Sequence, residues 1–262
     1  MLVIAIYLLA GAISGFLSGL FGVGGGLVLI PVFLASFEVL GVEPSVHMHL
    51  ALGTSLSAIV FNSASASWRH WQLGNLDIGT VLQLLVGILL GTILGGSVAA
   101  AMDSELLRRV FSGFILVIAV YMASGWKPGS GNWQPGKLAL TAAGSGIGFM
   151  SALFGVGGGT LTVPLMTIMG RTPQRAVAIS SGCGVPIGLI GALTYVAHGW
   201  DNPQLPAGSL GYVYLPALAG IVLASWWFTG FGANLANRIP PRRLRIGFSI
   251  FLLVMFLNML RG

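Results

Sequence analysis

The sequence predicts an all-α membrane protein made of two inverted repeats, each a glycine-broken helical hairpin plus three transmembrane helices. Three observations predict it. Of 262 residues, 55% are hydrophobic and only 7% charged, whereas a soluble domain carries about 25% charged residues. Apolar runs such as 110–123 and, past its basic start, 244–260 hold no charge. The stretch 11–31 recurs as 144–164, close to half the chain away.

Composition sets the class. Runs of about 20 apolar residues read as membrane helices, and the short alternating segments of a β-barrel are missing from the pattern. The formal charge of +6 does not point to nucleic acid. The basic residues sit in short loops between apolar spans, where the inner face of a membrane collects them. Cys183 is the single cysteine, so an intrachain disulfide has no second partner. The first 20 residues hold no Lys or Arg and lack the basic start of a signal peptide. Their pattern returns in the second half, so they are read as part of the fold.

The repeats are taken as 1–125 and 136–262, joined by a linker at 126–135 inside the Gly/Pro-rich stretch GWKPGSGNWQPG. GAISGFLSGLFGVGGGLVLIP at 11–31 matches GSGIGFMSALFGVGGGTLTVP at 144–164 in 12 of 21 positions, at an offset of 133. ALGTS at 51–55 parallels AVAIS at 176–180. In each repeat one apolar segment (2–21, 138–154) runs into GVGGG and a shorter one follows (27–40, 160–170). The longer segments are 48–66, 79–101 and 105–124 in the first repeat, and 176–197, 212–236 and 243–260 in the second. A helix rises 1.5 Å per residue and needs about 20 residues to cross. The short segments of 14 and 11 residues are therefore read as the return arms of hairpins that turn inside the membrane.

Loop charges orient the chain. With this segmentation Arg69, Lys127, Lys137, Arg171, Arg175, Arg238, Arg242, Arg243 and Arg245 fall on one side, against Arg108, Arg109 and Arg261 on the other. The richer side is cytoplasmic, which leaves both termini outside. An odd number of crossings per repeat turns the second repeat upside down, a construction common among secondary transporters. The expected location is the cell inner (plasma) membrane, with multiple spans.

Gly22, Gly24, Gly25 and Gly26, and Gly155, Gly157, Gly158 and Gly159, are the leading candidates for a substrate site. Four glycines in five positions weaken a continuous helix by about 1 kcal/mol each relative to Ala. Non-helical backbone at membrane depth survives only when buried in protein or lining a wet cavity. Each break starts a new helix near Gly25 or Gly158, and free N–H groups and a positive dipole end suit an anion. Close helix packing by small residues is the competing reading. No Lys-Ser or Lys-Thr follows the glycines, which argues against a nucleotide loop.

Thr54, Ser55, Ser180 and Ser181 stand at matched places inside or near the start of apolar segments, able either to donate to an oxyanion or to bond back to the preceding turn. Asn62 follows Ser55 by two turns on the same face, to line a pore or bridge helices. Pro31 and Pro164 read as kinks. His47, His49, His70 and His198 fall at segment ends, as proton relays or as interfacial side chains. Arg175 is read as an inside-positive anchor and Cys183 as a small packing residue. No Asp or Glu falls in the middle of a span, which disfavours a cation as substrate. Neither cofactor nor metal is expected.

The doubled GxGGGxxxxP pattern at Gly22–Pro31 and Gly155–Pro164 resembles that of the sulfite exporter TauE/SafE (TSUP) family. So do ALGTSL at 51–56, GNLD at 74–77 and GANLANRIPPRRLR at 232–245. The second copy departs at Ile179, which stands where the first has Thr54. The resemblance implies a bacterial or archaeal membrane protein that moves sulfite, thiosulfate, sulfonates or related organosulfur acids. The reading is then a secondary transporter of a small sulfur-containing anion held at midplane between the two glycine breaks, with a passive anion channel as the alternative. An intramembrane serine protease built on Ser180 or Ser181 with His198, and a scaffold without substrate, are weaker readings. The expected partners are the small sulfur anion and the lipid bilayer, with a homodimer left open.

Overall fold

The computed structural model describes residues 2–124 and 135–235, and four single residues beyond them, 250, 253, 256 and 257. The helices are α1 (Leu2–Phe21), α2 (Gly26–Val39), α3 (His47–Gln72), α4 (Ile78–Ala101), α5 (Ser104–Ala123), α6 (Lys137–Leu153), α7 (Gly159–Ile168), α8 (Pro173–Gly199) and α9 (Leu215–Leu235). A two-stranded hairpin, β1 (Ser209–Leu210) with β2 (Val213–Tyr214), precedes α9; nothing in the apolar pattern predicts it. The expected segment 243–260, most of the linker, Lys127, Arg238, Arg242, Arg243, Arg245 and Arg261 lie outside the described residues.

Four helices are long and apolar enough to cross a membrane: 3–21, 78–101, 173–199 and 215–235. The chain is an all-α multi-pass membrane protein. The other long helix at its centre, α3, is more polar because its polar side chains face protein and not lipid: Thr54, Ser55, Ser57, Asn62, Ser63 and His70 are all buried. It is also longer than expected, 47–72 in place of 48–66, just as α8 is 173–199 in place of 176–197. The apolar windows stop where polar side chains begin, while the backbone continues as helix because neighbouring elements cover it.

The tightest pairings join helices distant in sequence. α1 lies along α9, α4 along α6, and α3 against α8. Small residues make the first two possible. A side chain at Gly11, Gly15 or Gly19 would run into the carbonyls of Ile221, Ser225 or Thr229, and one at Gly87, Gly91 or Gly95 into those of Thr141, Ser145 or Phe149. Both sets are spaced by four, so they form one stripe per helix and let backbones touch.

Caps and ties order one end of the bundle. Asp77 caps α4, accepting from the Thr80 N–H at 3.1 Å and its hydroxyl at 2.9 Å. Arg171, just past α7, reaches the same carboxylate at 3.3 Å. Arg69 donates to Asn234 at the end of α9, 3.0 Å away. These cations share the face expected to be cytoplasmic.

Candidate functional site

The two glycine runs break the helices where the sequence predicts. Gly22, Gly24 and Gly25 take φ of 68°, 74° and 81°, a region that side chains with a Cβ rarely enter. In the second run only Gly155 does so, at φ 57°, so the two breaks share a sequence but not a backbone path. α2 then starts from Gly25 and α7 from Gly158. The Gly25 carbonyl accepts from Val28 and Leu29 at 3.1 and 3.3 Å, and the Gly158 carbonyl from Leu161 and Thr162 at 3.2 and 2.7 Å. The first N–H groups of each helix have no intrahelical partner.

The breaks touch each other. A Cβ on Gly24 would stand 3.1 Å from the Gly157 Cα; one on Gly157 would stand 2.5 Å from the Val23 carbonyl oxygen; one on Gly159 would stand 2.5 Å from the Val23 Cα. A Cβ on Gly26 would collide with the Gly155 carbonyl. Gly25 and Gly158 face away from this contact, toward Ser14 and Thr162 respectively. The contact lies against the middle of the α3–α8 pair, beside Ile59 of α3, a helix about 39 Å long.

Two serines clamp the contact crosswise. Ser55 of α3 donates to the Gly155 carbonyl at 2.8 Å, and Ser180 of α8 donates to the Gly22 carbonyl at 3.0 Å. Asn62 donates through Nδ2 to the Gly24 carbonyl at 3.2 Å, so Ser55 and Asn62 do share the face turned to the breaks. Ser181 bonds back to Val177 at 3.0 Å, with its Oγ 3.3 Å from a Cβ built on Gly22. Thr54 stands apart. Its hydroxyl bonds back to Leu50 at 2.6 Å and accepts the Tyr214 N–H at 2.9 Å, which anchors β2.

Sequence reasoning passed over several polar atoms near the breaks. Ser18 and Ser151, each four residues before its glycine run, are buried with no hydrogen bond to Oγ. Thr162 Oγ1 is likewise buried and unpartnered, as is the Oδ1 of Asn62, a residue the sequence did single out. The signal for the serines was in the duplication itself, since Ser18 and Ser151 are one of its identical pairs. Nothing in spacing marks Thr162.

The remaining candidates fall elsewhere. A cavity of about 1130 Å³ opens at the opposite end from Asp77 and Arg171, lined by Pro31, Ser36, His47, His49, Asp103 and Tyr212 among others. It follows α2 as far as Pro31 and is not lined by the glycine runs. His198 lies 18 residues beyond Ser180 on the same helix, about 27 Å along the axis. The two cannot form a nucleophile–base pair, which removes the physical basis of the protease reading. Cys183 is fully buried in α8.

Comparison with known proteins identifies the family. The family model for the sulfite exporter TauE/SafE matches residues 7–259. A probable membrane transporter protein of Haemophilus influenzae is 35% identical over 257 residues, covering 98% of this chain and 97% of its own. One from Methanocaldococcus jannaschii is 30% identical over 262 residues, covering 99% and 96%. A third, YunE of Bacillus subtilis, is 24% identical and covers 91% and 90%. No solved structure matches the chain. A Gly-broken bundle of apolar helices, matched end to end by this model and these relatives, is a membrane transporter of the inner membrane, and the chain belongs to the sulfite exporter TauE/SafE family.

Proposed function

We propose that the protein is a secondary transporter of a small sulfur-containing anion, bound where the two glycine breaks meet. The observation that carries this is their convergence: two helix N-termini, of α2 and α7, lie on either side of one glycine contact at mid-bundle. Unpaired N–H groups and the positive ends of two helix dipoles favour an anion there. The breaks are in contact, so the anion must part them. Parting frees the hydroxyls of Ser55 and Ser180 from the Gly155 and Gly22 carbonyls, and both then donate to the anion in place of water. The family name supplies the sulfur oxyanion class, with sulfite, thiosulfate and sulfonates as the candidates.

The same proposal includes two inverted repeats, 1–125 and 136–262. Reciprocal packing supports it: α1 against α9 and α6 against α4 are the same pairing with the halves exchanged, and the Ser55 and Ser180 bonds exchange in the same way. Alternating exposure of one central site follows from rocking of one repeat against the other. Relatives named as transporters do not favour the passive channel.

The test is twofold. Thermal unfolding of the purified protein is followed with sulfite, thiosulfate, sulfoacetate, taurine and sulfate, since a ligand of the folded state raises its stability by mass action. Counterflow of the stabilising anion is then measured in proteoliposomes. Stabilisation and counterflow by one or more of these anions is the expected result. A protein that none of them stabilises, or that passes them as unitary currents, overturns the reading.

A further inference from the structure

Most of the threonines inside the described helices hide their hydroxyl in one way. Thr54, Thr141, Thr167, Thr194 and Thr229 each donate their hydroxyl to the carbonyl four residues back, which is how a membrane helix hides an O–H group. Thr162 does not. The carbonyl four residues back is that of Gly158, which accepts the Thr162 N–H at 2.7 Å, but the Thr162 hydroxyl makes no hydrogen bond and is fully buried. A free hydroxyl in an apolar interior is costly, and such groups in native structures ask for a reason.

Its position supplies one. Thr162 lies in the first turn of α7, beside the residue that starts it: a Cβ on Gly158 would stand 2.9 Å from Thr162 Oγ1 and 3.6 Å from the Ser180 carbonyl oxygen. The hydroxyl is thus beside Gly158, the residue from which α7 starts, on the side of Gly158 turned away from the first break. Thr92 also has a buried, unpartnered hydroxyl, but it sits where α4 crosses Gly148, away from any helix start. At the same distance beyond the first glycine run stands Leu29, fully buried. The donor is present beside one break only.

We propose that Thr162 is a substrate-binding residue that donates its O–H to an oxygen of a sulfite- or sulfonate-type head group at the start of α7. The site is then asymmetric, with the anion held closer to Gly158 than to Gly25. This rests on the reading that an anion binds at the breaks, and it adds the residue that sets the anion's position.

Thr162→Val keeps the shape and removes the hydroxyl, and Thr162→Ser keeps the hydroxyl. Each full-length variant is purified, and its unfolding temperature is measured without ligand and across concentrations of sulfite, thiosulfate, sulfoacetate, taurine and sulfate. With no ligand, Thr162→Val is expected to unfold at or above the wild-type temperature, because an unsatisfied polar group has been removed. Its apparent Kd is expected to weaken about tenfold or more, the worth of a hydrogen bond to a charged group, while Thr162→Ser stays near wild type. Wild-type affinity in Thr162→Val overturns the assignment of Thr162 and leaves the anion site standing. A ligand-free Thr162→Val that unfolds at lower temperature also overturns it, since the hydroxyl then has a structural partner. A wild-type protein stabilised by none of the five anions sinks both readings.

Discussion

Ser55→Ala and Ser180→Ala should destabilise the protein by similar amounts, because each removes the donor that holds one break against the opposite central helix. Ser55 and Ser180 are fully buried and donate at 2.8 and 3.0 Å to the carbonyls of Gly155 and Gly22. Loss of a net hydrogen bond costs about 0.5–1.5 kcal/mol, and leaving a buried acceptor unpaired raises this to roughly 1–3 kcal/mol. For a chain of this size each kcal/mol moves the unfolding midpoint by about 2–4 °C, so a fall of roughly 2–10 °C is expected for either variant. The assay is thermal unfolding in detergent, with Thr194→Ala as the control. Thr194 donates to the Ile190 carbonyl at 2.8 Å within one helix, and that carbonyl keeps its backbone partner, so the control should fall by no more than about 2 °C. Serine variants that unfold within error of the control would refute the crosswise clamp. The double variant adds a further check. The two clamped carbonyls belong to breaks in direct contact, so the combined loss should depart from the sum of the single losses, as it does for coupled neighbours.

Three other outcomes follow. Gly15→Val and Gly91→Val each push a side chain into a facing carbonyl; overpacking of about 1–3 kcal/mol or more should leave little monodisperse protein on gel filtration, whereas Gly113→Val, which meets open space, should purify normally. Asp77 is pulled upward by burial, but the Thr80 amide and hydroxyl and the Arg171 guanidinium outweigh this and hold its carboxyl below the ordinary carboxylate range. That stability is therefore present above the unfolded-state value and lost as pH falls through the lower, folded value. The pair is about one-third exposed, so the effect is small, below about 1 kcal/mol, and Asp77→Asn should flatten the acid limb of a plot of unfolding temperature against pH. Finally, a cysteine at Glu38 should react with an impermeant maleimide from outside the cell and one at Arg175 only after permeabilisation, in a Cys183→Ala background; the reverse pattern would overturn the orientation drawn from loop charges.

The duplication made the breaks legible. Both GVGGG runs were placed as helix interruptions, and both new helices start at the residues expected, Gly25 and Gly158. What periodicity could not supply was partnership. Thr54 and Ser55 are neighbours with similar chemistry, yet one anchors β2 and the other clamps a glycine carbonyl, because successive helical side chains point about 100° apart. The glycine stripes on α1 and α4 were in plain view, but glycines at every fourth residue announce close packing without naming the partner. α3 shows the limit of hydropathy. Its polar residues shortened the expected segment, although a helix wrapped in protein has no need of an apolar surface.

The same wrapping bears on how a site at the breaks would work. No ion pair holds the breaks together among the described residues; the contact consists of glycine backbone, two hydroxyl–carbonyl bonds and one amide–carbonyl bond from Asn62. At about 0.5–1.5 kcal/mol net for each bond, parting it costs a few kcal/mol, within reach of the differential affinity by which a ligand shifts a two-state equilibrium. Lysine or arginine at this contact would bind an anion more tightly but would need a partner in every state without one. Hydroxyls avoid that difficulty, since each has a carbonyl to return to. Thr162 makes no such bond in the closed contact, so in the proposed role its hydroxyl gives up no protein partner when an anion binds.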